Sequence, residues 1–288
     1  MRKIFSSVLC VLLIAVHCFG QGQTTATSTG EGDGTPFSVM GGFLIVFQGR
    51  IGARSGLRFV LDTGATHSTV NRKLAQEMRV PLHPTQVFDF DRSVPMESGV
   101  FPDVEFGPVH VTGVGMLVAD FTRLSDFANG VDAIIGSDLL SLSNFSIDYD
   151  AQKLFFAPVQ TNATSVKPRP HPTVMILELR VQDCPVDLVV DTGVEGVVLF
   201  EDRLRSRIPR LRTEGTVGDF TFGRQSRAKQ AILPEVRLGA RTADLKVLLM
   251  KGPHGDVLPG IDGYWGTASI KARRINFNFA TNRLSWQE

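Results

Sequence analysis

Two identical tripeptides end two similar apolar runs: Asp62-Thr63-Gly64 follows Phe59-Val60-Leu61, and Asp191-Thr192-Gly193 follows Leu188-Val189-Val190. An aspartate at the end of an apolar strand presents its carboxylate at a turn, and the glycine lets the backbone bend where a side chain would clash. The threonine between them offers a hydroxyl that can bond across to the opposite copy. If the two turns meet at a two-fold axis, the carboxylates stand side by side and share one proton, because like charges that close cannot both ionise. Such a pair holds a base and an acid at once. The ionised member takes a proton from a water lodged between them, the water attacks a peptide carbonyl, and the protonated member donates to the developing oxyanion. The scheme needs no metal, no cofactor and no covalent intermediate, and the pair titrates as a unit.

The elements that must position these turns also recur. Phe88-Asp89-Phe90-Asp91-Arg92 matches Phe220-Thr221-Phe222-Gly223-Arg224, and Pro102 to Gly107 matches Pro234 to Gly239. Asp132-Ala133-Ile134-Ile135-Gly136 matches Asp262-Gly263-Tyr264-Trp265-Gly266. With the tripeptides, the four blocks keep their order at offsets of 129, 132, 132 and 130 residues. Two copies are too few for a solenoid. They suit two lobes, residues 37–160 and 172–288, closing on each other like a two-fold dimer fused into one chain.

Short runs of β-branched and aromatic residues bounded by turn residues predict strands at Phe43–Phe47, Leu57–Leu61, Val109–Val118, Phe145–Tyr149 and Lys153–Phe156. Asp150-Ala151 and Ala280 to Asn282 suit hairpin turns. Helices are expected at Asn71–Met78 and Ser137–Leu142, the second capped by Ser137 with Asp138 in its first turn.

With these motifs in order, the chain resembles the retropepsin-like aspartic peptidases in their two-lobed, single-chain form. Asp62-Thr63-Gly64-Ala65 looks like the family's catalytic loop, and Ile134-Ile135-Gly136-Ser137-Asp138-Leu139-Leu140 like its second motif, with Gly266 matching Gly136. The resemblance implies an all-β fold with short helices and a substrate cleft between pseudo-two-fold-related lobes. It also implies hairpin flaps over the cleft, by position at Phe88–Met96 and Phe220–Ala228. Asp62 and Asp191 would be catalytic, with Thr63, Gly64, Thr192 and Gly193 supporting their loops. The second copy departs from the pattern: Val194-Glu195-Gly196 stands where the first has small and hydroxylated residues, and Tyr264-Trp265 is bulkier than Ile134-Ile135. These changes suit either an asymmetric active site or a second lobe that mainly scaffolds.

The rest of the sequence bounds the setting. Arg2 and Lys3, the apolar run Val8–Val16 and small residues to Gly20 have the layout of a secretory signal peptide, with an uncleaved anchor as the alternative. Export to periplasm or extracellular space would follow, with no stable membrane insertion once the signal is removed. Residues 21–36 read as a flexible leader, and residues 161–171, with Pro168 and Pro170, as an extended linker. Two of the three cysteines lie in the signal, so Cys184 has no disulfide partner within the mature chain and reads as a half-buried structural thiol. A net charge of +1 gives no reason to expect nucleic acid. The expected partner is a peptide or protein, and the expected state a monomer.

Other candidates read as structural. Asp132 and Asp262 suit turns. Asp89 and Asp91 suit a solvated hairpin better than a metal site. His67, His83, His110, His171 and His254 lack zinc-ligand spacing. No Gly-x-Ser-x-Gly elbow occurs. Asn144 and Asn162 begin glycosylation sequons. The reading is an endopeptidase that holds an extended substrate; the alternative is a peptide-binding module that has kept the fold without the activity.

Overall fold

A computed structural model of the chain describes residues 14–15, 24–26, 33–89, 92–123, 130–156, 164–166, 168, 174–208, 211–221, 224–238, 241–250 and 260–287. Among them the chain is mostly β with short helices, in two sheets that match the expected two-lobe, all-β architecture. Two short strands come first, β1 (Ile14–Ala15) and β2 (Thr24–Ala26). The first half then runs β3 (Thr35–Met40), β4 (Leu44–Ile51), β5 (Arg54–Leu61), β6 (Thr69–Asn71), α1 (Arg72–Glu77), β7 (His83–Asp89) and β8 (Arg92–Phe106). It continues through β9 (Val109–Ala119), β10 (Ala133–Ile135), α2 (Ser137–Leu140), β11 (Phe145–Asp148) and β12 (Lys153–Phe155). After β13 (Thr164–Val166) comes the second half: β14 (Ile176–Val181), β15 (Cys184–Asp191), β16 (Val197–Phe200), α3 (Glu201–Leu204), β17 (Arg212–Thr221) and β18 (Arg224–Leu238). It closes with β19 (Arg241–Met250), β20 (Gly263–Gly266), β21 (Arg274–Asn278) and β22 (Arg283–Gln287).

The halves repeat each other in register. β10 runs parallel to β5 with Ala133 opposite Phe59, and β20 runs parallel to β15 with Gly263 opposite Leu188. On the other side of β10, Ile134 faces Thr69 of β6, just as Tyr264 of β20 faces Val198 of β16. Both strands that lead to an Asp-Thr-Gly turn have a neighbour on each side, since β4 pairs with β5 and β14 with β15 on the edge away from β10 and β20. Both also have each face covered, which is why they read as unbroken apolar runs and not as alternating ones. Alternate residues enter different cores: Phe59, Leu61, Leu188 and Val190 join one large cluster built from both halves. Val60 and Val189 point the other way, each into its own half's smaller cluster.

The halves are joined by a seam in which β11 pairs antiparallel with β21. Ser146 faces Asn276 there, and those two are copy-equivalent, so the pseudo-axis passes between them. Phe145 and Phe277 stack one pair along, with ring centroids 4.7 Å apart. The strand order β3-β12-β11-β21-β22-β13 makes this seam six strands wide and part of the larger sheet. The last strands of the second half thus complete a sheet begun by the first.

Several local expectations meet the structure with differences. The hairpin turns carry the same device twice: Ala151 N donates to Asp148 Oδ1 and Thr281 N to Asn278 Oδ1, both at 2.9 Å. Each turn ends on a residue with positive φ, Gln152 or Asn282. α1 has its cap at Asn71, whose side chain accepts from Lys73 N. α2 is shorter than expected and starts from Gly136 with no side-chain cap bond. Ser137 does not cap it, because its Oγ donates elsewhere, to Ala65 O at 2.9 Å. The segment read as a leader includes β2, which pairs with β9, and the start of β3. The segment read as a linker includes β13, which adds an edge strand beside β22. Both hairpins at the expected flap positions form, β7–β8 and β17–β18, with Asp89 paired to Arg92 and Thr221 to Arg224. Their turn residues 90–91 and 222–223 lie outside the described residues, as do Asn162, His171 and His254. Asn144 is occupied at the seam, where its Oδ1 accepts from Phe279 N at 2.9 Å. Cys184 is a free thiol, partly buried as read.

Candidate active site

Each Asp-Thr-Gly turn leaves its strand at the molecular axis, and the two threonines lock the turns together. Thr63 Oγ1 donates to Val190 O at 2.8 Å and accepts from Thr192 N at 3.1 Å. Thr192 Oγ1 donates to Leu61 O at 2.7 Å and accepts from Thr63 N at 3.0 Å. The four bonds are reciprocal, and both threonines are buried. A hydroxyl suits this place because it donates and accepts at once. The crossed bonding anticipated from the sequence is present.

The same lock brings Asp62 and Asp191 together. A Cβ built on Gly64 would stand 2.3 Å from Asp191 Cγ, so the second carboxyl lies directly on the first turn. Only glycine leaves that space. Asp62 Oδ1 accepts from Gly64 N and Ala65 N, both at 3.0 Å, while Asp191 Oδ1 accepts from Gly193 N at 2.6 Å. Asp62 Oδ2 is buried and meets no donor in hydrogen-bond geometry. Burial, and next the negative charge of Asp191, push the Asp62 carboxyl well above its ordinary value; the Ala65 and Gly64 amides pull less strongly the other way. With Oδ1 engaged by two amides, Oδ2 is the oxygen of Asp62 left to take part in a proton shared with Asp191. Both aspartates are 0% exposed, so any solute reaches them only when the surrounding structure opens.

The second motif braces the turns from behind. A Cβ on Gly136 would stand 2.9 Å from Ala65 O, and one on Gly266 would stand 2.2 Å from Val194 O. Both glycines are required by the close approach of the loop backbone. Ile134 and Ile135 are buried on opposite faces of β10, one in the first half's own cluster and the other in the common core. Asp132 and Asp262 do what turn residues do. Asp132 Oδ2 accepts from Arg58 N at 2.8 Å, and Asp262 Oδ2 accepts from the equivalent Asp187 N at 3.0 Å. They fasten a loop to the strand below it and stand apart from the aspartate pair.

The polar network behind Asp62 was not legible as a network. Asp138 Oδ2 accepts from Ser68 N at 2.9 Å, and its Oδ1 accepts from Ser68 Oγ at 2.7 Å. Ser68 Oγ in turn accepts from Gly136 N at 3.0 Å. Burial raises the Asp138 carboxyl, against the pull of the Ser68 donors, the His67 charge and Leu139 N. Asp138 was visible only as an acid in a helix's first turn; nothing local pairs it with a serine 70 residues earlier. Among the described residues no group of three or more His, Cys, Asp or Glu gathers as a metal site would.

A family described as aspartyl protease matches residues 47–139. The match runs from within β4 to within α2, and so takes in Asp62-Thr63-Gly64, the first hairpin and Ile134-Ile135-Gly136. It supports peptidase chemistry at the level of class. No curated protein matches the chain.

Proposed function

We propose that the protein is an aspartic-type endopeptidase whose single chain supplies both lobes and both catalytic aspartates, Asp62 and Asp191. The observation that carries this reading is the reciprocal threonine lock, which holds two carboxyls against each other at the axis. Asp62 Oδ2 carries the pair's proton. Asp191 draws a proton from a water placed between them, and the water oxygen bonds to the peptide carbonyl carbon. Asp62 gives its proton to the carbonyl oxygen as charge develops there. Collapse of the tetrahedral species breaks the C–N bond: one diol hydroxyl returns its proton to Asp62 as the departing amine takes the proton held by Asp191. The recurrence of strand register supports an internal duplication, with the first and second halves as the two lobes.

The substrate is an extended peptide or unfolded protein segment, whose main chain can bond to strand edges while alternate side chains fill pockets. Because the carboxyls are enclosed, a substrate enters by movement of the structure around them, and the β7–β8 and β17–β18 hairpins stand at the sequence positions that the resemblance gives to flaps. The basic start and apolar run of the first twenty residues support export to periplasm or extracellular space, with a mature monomer free of the membrane. Among the described residues no helix is long and apolar enough to cross a membrane.

The test is a peptide library incubated with purified protein at acidic pH. Cleavage is expected, and it should vanish in Asp62→Asn and in Asp191→Asn. Cleavage that persists in both would reject the pair. The complete enclosure of both carboxyls favours one rival reading, a peptide-binding module; tight binding without turnover would establish it.

A further inference from the structure

We propose that Asp138 is a positioning residue for Asp62, acting through Ser68 and the loop between them. The proposal deepens the peptidase reading and rests on it. The loop 65–68 is held at both ends by consecutive side chains at the start of α2. At one end Ser137 donates to Ala65 O from both its N, at 2.8 Å, and its Oγ, at 2.9 Å. Ala65 N is one of the two donors on Asp62 Oδ1. At the other end the Asp138 carboxylate takes both the N and the Oγ of Ser68. The Ser68 hydroxyl also receives Gly136 N, which ties the loop to the second motif. A carboxylate accepting two donors from one residue fixes that residue in orientation as well as position.

The residues that form this clamp are not repeated in the second half, although its register is the same. Val198 faces Tyr264 where Thr69 faces Ile134, so Val197 occupies the place of Ser68. The strand pairing likewise places Gly266 as Gly136, and Ala268 as Asp138. Gly266 N donates instead to a backbone carbonyl, Gly196 O, at 2.7 Å. The residue in the place of Ser137 is Thr267, whose Oγ1 lies 3.4 Å from Tyr149 Oη. Even a half-buried carboxylate is costly unless its lone pairs are filled. Here it is retained in one half and replaced by alanine in the other, so the fold itself does not require it. What distinguishes its half is the loop that carries Asp62.

Full chains carrying Asp138→Ala, Ser68→Ala and Ser68→Thr separate positioning from general support. Peptide cleavage by the first two should lose about 10–100-fold in kcat with KM within about 3-fold, the signature of a misplaced reacting group. Ser68→Thr keeps the hydroxyl and should restore kcat to within about 3-fold of the parent. Amide hydrogen exchange should quicken across residues 62–68 and stay unchanged across residues 191–197. Unchanged kcat in both alanine variants would overturn the proposal, as would faster exchange of equal size in both loops. If Asp138→Ala does not fold, Ser68→Ala alone decides by the same two readouts. If the parent chain cleaves nothing, the peptidase reading fails, while the exchange comparison still decides whether Asp138 holds this loop.

Discussion

The turns at Asp62 and Asp191 are alike up to their glycines and then part company. Up to that point each takes a threonine hydroxyl from the other, and the bonds match atom for atom. Beyond it, the first loop is anchored by Ser68 and Asp138, whereas Val194 and Val197 of the second are buried among apolar neighbours. Symmetry is kept where the two turns must fit each other, because a change in either would have to be matched by its twin. It is relaxed one layer further out, where each loop meets only its own half. Hydrogen bonds fix direction while apolar packing fills volume, and the Ser68–Asp138 pair gives the Asp62 loop a directional anchor whose residues the second half does not repeat.

This comparison predicts equal responses inside the lock and unequal ones outside it. The largest effect belongs to the aspartates. Asp62→Asn and Asp191→Asn should each reduce kcat/KM by about 10³-fold or more, consistent with loss of an acid–base partner. Steady-state peptide cleavage measures it, and a large inequality between the two would break the picture of a working pair. Next come Thr63→Val and Thr192→Val. Each removes a buried hydroxyl that serves a carbonyl and an amide, leaving two groups unsatisfied at a cost of about 2–4 kcal/mol. Urea denaturation should give the two variants the same loss within about 0.5 kcal/mol, since their bonds are equivalent.

A smaller effect is the pH dependence of stability. Folded Asp62 holds its proton to higher pH than it does unfolded, so the folded state binds more protons. Its contribution is therefore full below the ordinary value of 3.8 and is lost as pH climbs toward the raised folded value. Melting temperatures measured across that range should fall less steeply with pH in Asp62→Asn than in the parent. The smallest effect sharpens the asymmetry itself. Val197→Ser combined with Ala268→Asp installs the first half's clamp in the second. Hydrogen exchange across residues 191–197 should be about 3–10-fold slower than in Val197→Ser alone, the reference that already carries the loss of a buried apolar side chain. Unchanged exchange would show that the polar pair does not by itself hold such a loop.

The sequence by itself determined the strands, the turns and the recurrence. Apolar runs ending in Asp-Thr-Gly, hairpins at Phe88–Met96 and Phe220–Ala228, and the placing of Asp132 and Asp262 in turns are local matters of periodicity and backbone freedom. The tertiary structure alone decided which distant groups meet. It placed Ser146 opposite Asn276 on the axis, sent β21 and β22 to complete the first half's sheet, gave Ser137 to Ala65 instead of the helix start, and joined Asp138 to Ser68. Local pattern states what a residue can bond; only the folded chain settles which of several capable partners, some 70 to 130 residues away, stands within reach.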